Sequence, residues 1–166
     1  MRIIGIDPGT ARFGFGIIDV GDGYAAVDYG TIETSAKVAM AQRLLELYEA
    51  LTHLIATHSP DSMAIEQLFF SRNVTTAIAV GQARGVALLA AAQAEIPVAE
   101  YTPAEVKQAI SGYGNADKQQ VQFMVQLLLE LDTVPYPDDA ADALAVALCH
   151  GQSHAFQDRI SSGGHR

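Results

Sequence analysis

A short apolar run that ends on an acid and a tight turn constrains this chain more than any other feature. Residues Arg2 to Asp7 read Arg-Ile-Ile-Gly-Ile-Asp, a buried strand halted at once by Pro8-Gly9-Thr10. Phe13 to Val20 then interleaves Phe13, Phe15, Ile17 and Ile18 with glycines, the pattern of a strand whose backbone lets other groups approach closely. After the turn Gly21-Asp22-Gly23, the interrupted alternation from Tyr24 to Glu33 predicts a third strand. Such a chain opens as an antiparallel meander whose first strand carries a carboxylate to one end.

Helical spacing follows. Leu44, Leu47, Tyr48, Leu51, Leu54 and Ile55 predict an amphipathic helix over roughly residues 37–57. Ser62 to Glu66 is a short strand, and the next helix is expected to be capped by Thr75 or Thr76, with Ala77, Gly81 and Gly85 forming a smooth stripe. Pro97 to Tyr101 makes a strand before Thr102-Pro103-Ala104-Glu105, a capping box with proline at the first helical position. A helix bearing Val121, Met124, Val125 and Leu128 comes after the loop at residues 112–115. Pro135 and Pro137 precede a last Ala-rich helix expected to end near His150. The fold class is therefore α/β, a mixed sheet flanked by helices. One domain over residues 1–153 is expected, with residues 154–166 as a flexible tail.

Composition is globular, with 49% apolar and 17% charged residues among 166. No apolar run suggests a membrane span, the start lacks the stretch of a signal peptide, and a cytoplasmic protein is expected. The lone Cys149 reads as core packing, and the histidines show no metal-ligand spacing. A net charge of -9 opposes a nucleic-acid partner unless the acids cluster away from the ten basic residues.

The acids do suggest clustering. Asp7 ends one apolar strand and Glu66 ends another, where an unpaired charge is costly. Taken alone, Asp7 also fits a turn-capping role. In Asp138-Asp139-Ala140-Ala141-Asp142, the first two acids suit a helix N-terminus, whereas Asp142 lies among alanine, leucine and valine. Asp139 is one helical turn before Asp142, and Asp138 competes with it four residues before. Carboxylates converging from these segments would suit a hard cation such as magnesium or manganese.

Four segments together resemble the RuvC family of Holliday-junction resolvases in order and spacing. They are Gly5-Ile6-Asp7-Pro8-Gly9-Thr10, Ala64-Ile65-Glu66-Gln67, Gly81-Gln82-Ala83-Arg84-Gly85-Val86-Ala87 and Asp139-Ala140-Ala141-Asp142-Ala143-Leu144. The resemblance implies an RNase H-like fold and a homodimer that nicks two opposed strands of a four-way junction symmetrically, leaving ligatable ends. It implies Asp7, Glu66, Asp139 and Asp142 as catalytic ligands of magnesium or manganese, two ions per site. It also implies DNA contacts by Phe69, Arg72, Lys107 and Lys118, with Phe69 stacking on a base, and cooperation with a branch-migration motor. Two other classes stay open. Asp7-Pro8-Gly9-Thr10 also resembles the phosphate-binding turn of sugar kinases and actin-like ATPases, and a noncatalytic junction-binding or RNA-processing relative would keep the same fold.

Overall fold

The computed structural model describes residues 1–67 and 74–163. Strands β1 (Arg2–Asp7), β2 (Arg12–Val20) and β3 (Tyr24–Glu33) form the expected meander. Helix α1 (Met40–His58) leads to β4 (Ser62–Glu66), then α2 (Val74–Gln93), β5 (Val98–Tyr101), α3 (Pro103–Ser111), α4 (Lys118–Leu128) and α5 (Asp138–Gly163). The sheet order is β3-β2-β1-β4-β5. β2 pairs antiparallel with β1 and β3, while β4 runs parallel to β1 and to β5. β1 thus lies at the centre, and both β1 and β4 end on an acid at the same edge.

Alternation along β1 sorts the core into two layers. Ile4 and Ile6 join Phe13, Phe15 and Ile17 beneath α1 and α2. Ile3 joins Ile18 and Ala64 beneath α3, α4 and α5. On this second face three glycines replace side chains where α5 crosses. An added Cβ on Gly5 would lie 2.1 Å from the Ala143 carbonyl oxygen, and one on Gly14 would lie 2.1 Å from that of Asp139. One on Gly16 would meet Leu144 at 2.8 Å. The glycine-interleaved pattern of β1 and β2 is therefore a floor on which a helix rests its backbone. His150 fastens α5 further along: its Nδ1 lies 2.7 Å from the Tyr101 hydroxyl and its Nε2 lies 3.1 Å from Ser62 Oγ. Cys149 is buried beside it, its thiol pushed up to about 12 by burial and then by Glu105.

Thr102 caps α3 with the expected reciprocal bonds, donating and accepting with Glu105. Asp117 and Gln120 do the same at α4, a second box that the preceding loop residues conceal. Three expectations are corrected. Helix α2 begins at Val74, so Thr75 and Thr76 lie inside its first turn and neither caps it. Helix α5 continues past His150 to Gly163, since no proline interrupts residues 151–163. Finally, α2 is long and apolar enough to cross a membrane by length and composition, with mean hydropathy 1.4. Its alanines, valines and glycines carry a single charge, Arg84, and Ala83, Ala87, Ala90 and Ala91 pack in the core. Most of the apolar surface of this helix lies outside the core.

Candidate active site

Asp7 leaves β1 opposite Gly14 of β2. Because Gly14 has no side chain, the first turn of α5 settles directly over that pair, which is what carries Asp139 and Asp142 to Asp7. Glu66 arrives from β4, the parallel neighbour of β1. The tight turn after Asp7 depends on Gly9, where a Cβ would lie 2.2 Å from the Arg12 carbonyl oxygen.

Mutual repulsion shows that these carboxyls share one field. Burial pushes Asp7 up to about 7, and Asp142, Glu66 and Asp139 add to the rise in that order, while Lys118 opposes it. Glu66 is raised by burial and then by Asp142, with Lys107 pulling down. Asp142 is raised as well, because its burial outweighs its ion pair with Lys118. The carboxyls thus repel one another electrostatically. Among the described residues, however, no three His, Cys, Asp or Glu side chains are grouped so as to hold one ion. The acids influence one another's charge without closing a coordination shell.

Lys118 is the counter-charge within reach. It opens α4, and its Nζ lies 3.1 Å from Asp142 Oδ2 and 3.2 Å from Asp138 Oδ2. Burial lowers its affinity for a proton, but the bond to Asp142 and then the pull of Asp138 more than offset that. Asp138 also accepts from Gln122 Nε2 at 3.0 Å and is held low by Lys118. Asp138 is thus exposed and engaged with α4, whereas Asp139 and Asp142 act on Asp7.

Glu66, Lys107, Lys118 and Asp142 line one cleft, floored by Val106, Val121, Ala145 and Val146. Two acids and two cations expected at the site from separate helices and a strand therefore meet. A shallower groove beside it, between the turn at Gly9–Arg12 and the start of α2, has Asp139 on its wall. Phe69 and Arg72, the remaining expected DNA contacts, lie outside the described residues. Arg84 was left undecided by the sequence, and it reaches the site from α2: its Nη1 donates to the Glu66 carbonyl at 2.8 Å.

The profile of the crossover junction endodeoxyribonuclease RuvC family matches residues 3–150. The chain belongs to the RuvC family. The RuvC of Roseiflexus sp. (strain RS-1) is 56% identical over 163 residues, covering 98% of this chain and 97% of that one. The RuvC of Desulforamulus reducens is 54% identical, covering 96% and 99%. A solved T. thermophilus RuvC in complex with Holliday junction substrate superposes with a TM-score of 0.88 at 36% identity, covering 97% of this chain and 96% of that chain. RuvC membership establishes the RNase H-like α/β fold and an endodeoxyribonuclease, and it sets aside the kinase-like reading of the Asp7 turn.

Proposed function

We propose that this chain resolves Holliday junctions by paired symmetric nicks, with Asp7, Glu66, Asp139 and Asp142 as the catalytic set. The observation that carries the assignment is the buried Asp7 carboxyl raised by three acids from distant segments. Four carboxylates would supply hard oxygen donors for a divalent cation, magnesium or manganese, once drawn closer together than in this structure, and two per site accord with the number of carboxylates. Such ions supply an activated water and neutralise charge on the leaving oxygen of an in-line phosphodiester displacement.

The protein's own contribution is placement. Asp142 and Glu66 line one cleft, and Asp7 ends the central strand β1. Lys118 holds Asp142 and Asp138 in its free form. An incoming phosphate would compete for that ammonium, which freed from Asp142 would leave the carboxylate to bind cation. Lys107, on α3, stands where it can meet the same phosphate. Cations on the four acids would offset part of the net charge of -9, and Lys107 and Lys118 would then meet the phosphate. Phe69 and Arg72 complete the proposed DNA surface.

A synthetic four-way junction and a linear duplex, each incubated with magnesium, manganese or chelator, test this reading. Paired nicks at symmetric positions in the junction alone, lost in chelator, are expected. Equal cleavage of the duplex, or cleavage in chelator, would sink it.

A homodimer is part of the proposal. Val74 is 69% exposed, Ile78 58% and Leu89 53%, and with Gly85 they form one stripe along α2. Nothing lies within 4 Å of a Cβ placed on Gly85, so a second helix could approach closely. Ile78→Asp is expected to convert a dimer to a monomer in sedimentation and to uncouple the two nicks while the monomer stays folded. A variant that sediments as the parent does would remove this face from the assembly. A branch-migration motor and a cytoplasmic setting complete the proposed context.

A further inference from the structure

Arg84 is the only charge on α2, and its side chain is 11% exposed. A guanidinium withdrawn from water among alanine, valine and glycine has to be held by strong acceptors. Nη1 donates to the Glu66 carbonyl, and Nη2 lies 2.6 Å from Glu100 Oε2. Glu66 is the last residue of β4, and Glu100 sits on β5 in register with Ile65.

The need for this donor is written in β1. Successive residues of a parallel strand turn their amide groups toward alternate neighbours. Met63 and Gln67 donate to β5, to the carbonyls of Pro97 and Tyr101 at 2.9 and 2.7 Å. Glu66, one residue from Gln67, therefore turns toward β1. With Ile6 in register with Ile65, the next β1 donor for the Glu66 carbonyl is residue 8. Residue 8 is proline, which has no N–H. The proline that ends β1 behind Asp7 leaves the strand carrying Glu66 one hydrogen bond short, and α2 reaches over to provide it.

We propose that Arg84 is a positioning residue for the reaction: anchored on Glu100, it holds the exit of β4 through the Glu66 carbonyl and so fixes the Glu66 carboxyl in the cleft with Asp142. This rests on Glu66 being a catalytic carboxylate. Arg84→Ala is expected to bind a junction with parent affinity, to nick the bound junction about 10- to 100-fold more slowly, and to show faster amide exchange at Gln67 in metal-free protein. Arg84→Lys, with one donor in place of a fork, recovers part of the rate. Pro8→Ala added to Arg84→Ala restores a backbone N–H at position 8 and also recovers part of the rate, which a merely structural arginine would not allow.

Parent-like nicking and exchange in Arg84→Ala would overturn the proposal, as would binding lost in step with cleavage. Should Arg84→Ala fail to fold, Glu100→Gln decides: a several-fold slower nicking step at unchanged affinity supports the anchor, and a parent-like rate overturns it. Glu66→Gln separates the two levels. If it nicks normally, the role of Glu66 falls. If it is inactive while Arg84→Ala is not, only the positioning role falls.

Discussion

Asp7→Asn is expected to bind a four-way junction as the parent does and to nick it about a thousand-fold more slowly or worse. Asparagine keeps the size of the side chain and the turn at Pro8-Gly9, so the sheet edge persists. What is lost is the charge at the point where three other acids converge. A titration of nicking rate against junction concentration separates the two effects: the loss should fall on the rate of the bound complex. Robust nicking in magnesium or manganese would remove Asp7 from the catalytic set.

The same substitution has an opposite effect on the metal-free fold. An unfolded aspartate loses its proton near pH 4, whereas Asp7 in the folded chain keeps it to about 7. Through that interval the folded state binds more protons than the unfolded state, so stability falls as pH rises and stays reduced above 7. Asparagine removes this dependence. Metal-free Asp7→Asn should melt higher than the parent at pH 8, by roughly 5 °C, and similarly to it at pH 4. Magnesium should narrow the gap at pH 8 by stabilising the parent more. A variant melting below the parent at pH 8 would show that the charge at Asp7 is already compensated.

Gly5→Ala is expected to be the most damaging single-methyl change in the sheet. The new Cβ would sit 2.1 Å from the Ala143 carbonyl oxygen, 2.7 Å from Ala147 N and 2.8 Å from Ala147 Cβ. Two of these are backbone atoms of α5, which cannot yield locally because the same helix also rests on Gly14 and Gly16. Overpacking of this kind costs about 3 kcal/mol, or roughly 6–12 °C in Tm for a chain of this size. Asp142 immediately precedes Ala143, so nicking by the folded fraction should fall too. Gly23→Ala is the control, since its Cβ meets open space. Equal melting of Gly5→Ala and the parent would mean that α5 does not bear on β1.

The meander, the acids at the ends of β1 and β4, and the capping box at Thr102 were legible because each rests on local chemistry that neighbours in sequence express. The choice between Asp138 and Asp139 was not, since spacings of four and three both keep an acid on the face of Asp142. Contacts distant in sequence bear on it: Gly14 seats the Asp139 backbone over the strand pair that carries Asp7, while Lys118 and Gln122 draw Asp138 to α4. Arg84 was ambiguous for a related reason. Its acceptor is a carbonyl orphaned by a proline, and no periodicity on α2 signals that. The extent of α5 was underestimated because Ser, Gly and polar residues after His150 suit a tail as readily as a helix. The span-like hydropathy of α2 is spread over small residues that are unremarkable one at a time.

Helix α5 is the last element of the chain, and it brings two of the proposed ligands with it. Asp7 and Glu66 are synthesised with the sheet, whereas Asp139 and Asp142 come only after all five strands have been made. Docking of α5 over Gly5, Gly14 and Gly16 covers one side of the sheet and assembles the acids in the same event. On the proposed assignment, a chain cut short before α5 would hold only two of the four carboxylates and would be unable to cut DNA.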